Sequence, residues 1–165
     1  MEPLFNLDST DLALLNHLQL DASLNNQDLA RAVHISPPTC LRRVKRLHDA
    51  GFIERQIAVL NADRLAPQLG HGLQVVVEIT LERQGQEELE AFESRVIKDD
   101  AVQQCYRVSP GPDFILIVFA HDMPGYLALT QRLFTSDANV RNVKAFFSVR
   151  RAKFLPRMQL TAANA

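Results

Sequence analysis

Between positions 36 and 47 the chain reads Ser-Pro-Pro-Thr-Cys-Leu-Arg-Arg-Val-Lys-Arg-Leu, and few folds accept such a segment. Ser36 is a capping residue, and Pro37 suits the first helical position, where a missing N–H costs nothing. At about 100° per residue, Cys40, Leu41, Val44 and Leu47 gather on one helix face, which must pack on something. The opposite face displays Pro38, Thr39, Arg42, Lys45 and Arg46, with Arg43 at its margin. Four cations fall within the five positions 42–46, although residues 1–60 hold only six basic and seven acidic side chains. Positive charge is therefore focused on this one helix.

The preceding residues supply the packing partners. Asp8 caps a helix carrying Leu12, Leu15 and Leu18, with Asp11 near its positive end. Residues 21–23 break it. A second short helix starts at Asn26, with Leu29, Ala32 and Val33 on one side, and His34-Ile35 turns the chain into the third helix. If the turn needs positive φ at position 34, histidine adopts it at small cost. Gly51 ends the third helix, and Phe52-Ile53 closes the core behind it. Helices two and three form a helix-turn-helix.

Past a short extended run at 57–60 the character changes. Residues 61–72, with Pro67, Gly70 and Gly72, read as a linker. Residues 73–81 are rich in β-branched side chains and read as a strand. A helix over 85–96 sets Leu89, Phe92 and Val96 against Glu87, Glu88, Glu90 and Glu93, a solvated face. Strands follow over 102–109 and 114–120, a helix capped by Asp122 over 124–133, and a last strand over 140–149. The order strand, helix, strand, strand, helix, strand is the ferredoxin-like arrangement, one antiparallel sheet with both helices on one face. The predicted fold class is thus α+β. It comprises a helix-turn-helix domain over 1–60, the linker over 61–72, a βαββαβ domain over 73–154 and a flexible tail over 155–165.

Composition narrows the functional classes. In 165 residues, 47% are hydrophobic and 22% charged, which excludes disorder and a collagen-like or disulfide scaffold. The net charge of −1 predicts no partner by itself, so a nucleic-acid signal must come from local clustering. Cys40 and Cys105 stand 65 positions apart, which argues against structural zinc and fits a reducing compartment. The first residues have no signal-peptide pattern, and no apolar stretch approaches the ~20 residues that cross a bilayer.

A DNA-reading helix puts small N-terminal residues close to base edges and cations further along on phosphates. Ser36, Pro38 and Thr39 meet the first need, and Arg43, Lys45 and Arg46 the second. Arg42, long, planar and early in the helix, is the candidate for bidentate guanine contact. A solvated cationic face on a structural helical hairpin is the alternative reading of the same charges.

The surrounding motifs bear on that choice. Leu7-Asp8-x-x-Asp11, Asn26-x-x-Leu29-Ala30, the run from Ser36 to Leu47, Gly51-Phe52-Ile53, Leu60-Asn61 and Leu69-Gly70 resemble the Lrp/AsnC (feast/famine) family of bacterial and archaeal transcription factors. The resemblance spans nearly the whole chain. It implies operator binding to double-stranded DNA by the N-terminal domain. It also implies small effectors, usually amino acids, on the C-terminal domain, and homodimers that often assemble into octamers. A two-fold dimer reads two half-sites about 34 Å apart, which supports the dimer on physical grounds. A cytoplasmic, nucleoid-associated location follows from the same resemblance.

In this family the turn between the second and third strands contributes to the effector pocket. Here Ser109-Pro110-Gly111-Pro112-Asp113-Phe114 stands there, which makes Ser109, Gly111 and Asp113 candidate effector residues. Pro110 falls where the family has glycine, and two prolines remove two N–H donors that would hold a carboxylate. Asp113 suits an α-amino group, or equally a turn bonding its own backbone. Val143 and Ala145, with Phe146 and Phe147, replace hydroxyl residues that the family often has in the last strand. They suit an apolar effector or a packed oligomer interface.

No cofactor and no metal are expected, since the five histidines lie on different elements. Cys40 reads as a packed thiol, and Gly111 opens no phosphate loop. Arg150, Arg151, Lys153 and Arg157 suit subunit pairing or solvation better than wrapped DNA. No pairing of nucleophile and base is assignable, so an enzyme is not expected. The leading function is a regulator tuned by a metabolite, and the alternative is an effector-independent DNA-organising protein.

Overall fold

The computed structural model describes residues 6–160, and the chain divides into two compact units. The first contains residues up to Val59 together with the segment from Lys153 onward. The second is Leu60–Ala152.

In the first unit, α1 (Ser9–Leu18), α2 (Asn26–Ala32) and α3 (Pro37–Asp49) enclose Leu14, Leu29, Ala30, Cys40 and Leu47. The α1 stripe centres on Leu14 rather than Leu12. Leu41, expected in the core, is 61% exposed. It stands about 100° round the helix from Cys40 and points away from α1 and α2.

Both ends of the helix-turn-helix close with the same device. After α2, His34 sits at φ 56°; its N–H donates to Arg31 O and that of Ile35 to Ala30 O. After α3, Gly51 sits at φ 75°, with Gly51 N–H to His48 O and Phe52 N–H to Leu47 O. Each is a left-handed cap with crossed hydrogen bonds. Ser36 holds the capping position of α3, but its hydroxyl pairs with that of Thr39 at 2.9 Å instead of capping the backbone.

The tail expected to be flexible is held against α1 as far as Leu160. The Gln19 amide donates to Met158 O at 2.8 Å and accepts from Met158 N–H at 2.9 Å. Asn16 Nδ2 donates to Leu160 O. The remaining tail lies outside the described residues.

The second unit starts with a helix inside the segment read as a linker. Asn61 caps α4 (Ala62–Leu69), accepting from Arg64 N–H at 3.1 Å. Pro67 removes only one backbone bond from this short helix, and Gly70 at φ 80° ends it. Then follow β1 (Leu73–Leu81), α5 (Gln86–Val96), β2 (Val102–Arg107), β3 (Phe114–Ala120), α6 (Met123–Thr130) and β4 (Val140–Phe147). Beyond α6 the chain makes a π-turn over Gln131–Thr135, past the predicted helix end.

The strand order is β2-β3-β1-β4, antiparallel throughout. That is the predicted ferredoxin-like sheet, and the fold class is α+β. Alternation puts Val75, Val77, Ile79 and Leu81 of β1 beside Phe114, Leu116, Val118 and Ala120 of β3, all buried. Phe92, Val96, Tyr126, Leu129 and Phe134 cover that face from α5, α6 and the π-turn. The opposite face carries Val76, Ile115, Ile117 and Phe146, with Glu78 and Lys144 paired across strands at 3.8 Å.

Candidate nucleic-acid interface and ligand segment

The exposed side of α3 carries Pro38, Leu41, Arg42, Lys45 and Asp49. Arg42 has no carboxylate within ion-pair distance among the described residues, and Lys45 Nζ lies 2.8 Å from Asp49 one turn on. Thr39 is half-buried, its hydroxyl already engaged with Ser36.

Two predicted phosphate contacts are occupied by the protein itself. Arg43 Nη1 reaches Asp8 Oδ2 at 2.7 Å and Asp11 Oδ1 at 2.8 Å, leaving its side chain 22% exposed. Arg46 Nη2 reaches Asp11 Oδ2 at 2.6 Å. Arg43 is thus not an open cation: its position, about 60° from the core centre, turns it toward α1. Asp11 was read only as a favourable charge near a helix start. Its spacing from Leu14 and Leu18 is the missed signal, since a carboxylate on an apolar stripe requires a cationic partner.

The acidic pair also builds α1. Asp8 Oδ1 accepts from Asp11 N–H at 2.8 Å, and Asp11 Oδ2 accepts from Asp8 N–H at 3.2 Å, a capping box. The backbone bond from Asp11, followed by the Arg43 guanidinium, holds the Asp8 carboxyl below its ordinary range. A depressed carboxyl stabilises the fold above its unfolded pKa, and that contribution is lost as pH falls through the folded value. Burial pushes the Cys40 thiol up, which fits a packed core residue.

The predicted effector residues fall in two places, the β2–β3 turn and β4. Ser109 and Gly111 are exposed in the β2–β3 turn, and Gly111 adopts φ 126°, a conformation that favours glycine. Asp113 ties this turn to β1: Oδ2 accepts from Leu81 N–H at 2.7 Å and Gln84 Nε2 at 3.2 Å, while Asp113 N–H donates to Ile79 O. Oδ1 makes no hydrogen bond among the described residues. Val143 and Ala145 pair with Ile79 and Val77 and pack against the helix-covered core. Two strand spacings, about 10 Å, separate β4 from β3. A separate cleft of about 420 Å³, lined by Leu65, Leu69, His71, Gly72, Phe119 and His121, lies at the other end of β3.

Among the described residues no helix is long and apolar enough to cross a membrane, and no His, Cys, Asp and Glu group could hold a metal ion.

A cation-bearing helix-turn-helix followed by a ferredoxin-like sheet is the architecture of a two-domain DNA-binding protein. A model of winged helix-turn-helix DNA-binding domains matches residues 7–54, and one of the Lrp/AsnC ligand binding domain matches residues 74–158. The chain belongs to the Lrp/AsnC family of transcriptional regulators. It is 33% identical to the leucine-responsive regulatory protein of Rhizobium meliloti over 147 residues, 89% of this chain and 92% of that one. An AsnC family transcriptional regulator from Agrobacterium tumefaciens matches with a TM-score of 0.80 at 27% identity, covering 93% of this chain and 97% of that chain. A Neisseria meningitidis transcriptional regulator, solved as an L-Met complex, matches with a TM-score of 0.80 at 28% identity and the same coverage.

Proposed function

We propose that this regulator reads operator DNA through the outer face of α3, with Arg42 as its base-reading side chain, and is tuned by an amino acid held near the β2–β3 turn. The observation that carries the DNA reading is Arg42 itself, an exposed guanidinium early in α3 with no carboxylate partner among the described residues. Pro38 and Thr39 beside it are small enough for close approach to the groove, and Ser36 and Lys45 flank them. The L-Met complex of the Neisseria relative supports an amino acid as effector, with Asp113 Oδ1 for its ammonium group. A homodimer places two α3 helices on a two-fold operator, and assembly beyond the dimer follows the family resemblance. Such a protein works on the chromosome, in the cytoplasm, and has no catalytic role.

Replacing Arg42 by alanine is expected to reduce discrimination between operator and random duplex by ~1–3 kcal/mol. Competition titrations at fixed salt measure it. Equal losses on both duplexes would reassign Arg42 to phosphate.

A second reading, an architectural protein without an effector, is favoured by Pro110 and Pro112, which remove N–H donors, and by the partial burial of Val143 and Ala145 against the core. Thermal-shift screening of the twenty amino acids separates the two. A true effector at a hundredfold excess over its dissociation constant adds ~2.7 kcal/mol of stability. No shift with any of them would favour the organiser.

A further inference from the structure

We infer that Asp11 is a positioning residue for DNA reading: its buried carboxylate holds Arg43 and Arg46 against α1 and so keeps them from gripping phosphates indiscriminately. This rests on the proposal that α3 contacts DNA. The Asp11 side chain is 0% exposed, and each oxygen accepts from a different arginine, Oδ1 at 2.8 Å and Oδ2 at 2.6 Å. Asp8 completes the clamp on Arg43 at 2.7 Å.

A carboxylate offers guanidinium the same planar pair of acceptors as a phosphate does, so Asp11 is an intramolecular competitor for the DNA backbone. Its burial makes it a strong one. Releasing an arginine would leave part of a negative charge uncompensated in the interior, which is costly. The four cations of α3 therefore do not act alike. Arg42 is presented openly, Lys45 is matched by Asp49, and Arg43 and Arg46 are held. Non-specific affinity grows with every phosphate neutralised, whereas base reading does not need those extra charges. Holding two arginines back lowers the background against which Arg42 must discriminate.

The test is a salt series on the full chain, using a random-sequence duplex and a genomic fragment selected by the wild-type protein. In the wild-type background, Arg43→Gln is expected to leave the slope of log K against log salt unchanged on random duplex. Arg42→Gln is expected to make it shallower by about one. Asp11→Asn is expected to steepen the slope by about one to two and to lower the ratio of selected to random affinity, because freed arginines reach phosphates. Asp8→Asn, at an exposed carboxylate, gives a smaller change in the same direction and serves where Asp11→Asn fails to fold. Circular dichroism checks folding. The inference is overturned if Arg43→Gln alone makes the slope shallower, or if the folded Asp variants keep the wild-type slope and ratio. An Arg42→Gln chain with an unchanged slope would instead overturn the DNA-contact reading of α3, a separate failure.

Discussion

A Phe114→Ala chain is expected to lose about 3–5 kcal/mol of stability in its sheet-bearing unit. Phe114 opens β3 with 0% exposure. Its ring centroid lies 4.8 Å from that of Phe92 on α5, so one side chain joins sheet and helix layer. The Arg107 guanidinium lies 5.9 Å from the ring centroid, a further contact that truncation removes. Because antiparallel partners on both sides hold β3, the backbone cannot collapse into the void, and the cavity cost adds to the lost transfer energy. Denaturant titration should show a lower midpoint with an unchanged slope. A loss below about 1 kcal/mol would mean that α5 closes the gap and that the layers are less rigid than their packing implies.

The second large effect concerns the DNA-binding unit. Leu47→Ala is expected to cost about 2–5 kcal/mol. Leu47 is fully buried in a cluster whose other buried members are Leu14, Leu29, Ala30 and Cys40. A unit of this size buries a smaller share of its surface than a larger domain, so one leucine is a large part of its margin. The helical circular-dichroism signal and DNA affinity should then fall together on warming. Arg42→Ala should reduce operator discrimination with the melting curve unchanged, because its side chain supports no core contact. If Leu47→Ala kept both the wild-type melting curve and affinity, α3 would not be held by this core.

Much of the architecture was legible from short-range pattern. The β-branched run at 73–81 and the apolar run at 114–120 announce strands, and β3 was predicted over the same residues that form it, but which face of β3 is buried shows only in the fold. Asp8, Gly51 and Asp122 announce helix ends because capping chemistry acts within three or four residues. Other features escaped that kind of reading. Pro67 and Gly70 look like linker residues, yet one missing bond does not break α4. The tail after Phe154 looks unstructured, yet Asn16 and Gln19 supply the partners its backbone needs, 144 and 139 positions away. The candidate site divides in the same way. The exposure of Arg42 was readable from its helix angle, whereas Val143 and Ala145, which suited an apolar effector or an oligomer interface alike, pack against the core of their own unit.

By itself, then, the order of residues determined the two kinds of half, most of their helices and strands and the cationic character of α3, because those depend on helical periodicity, β-branched and apolar runs and local caps. Which cations remain available was decided only in three dimensions. Asp11 meets Arg43 and Arg46 from 32 and 35 positions away, and ion pairing falls steeply with distance through space while ignoring distance along the chain.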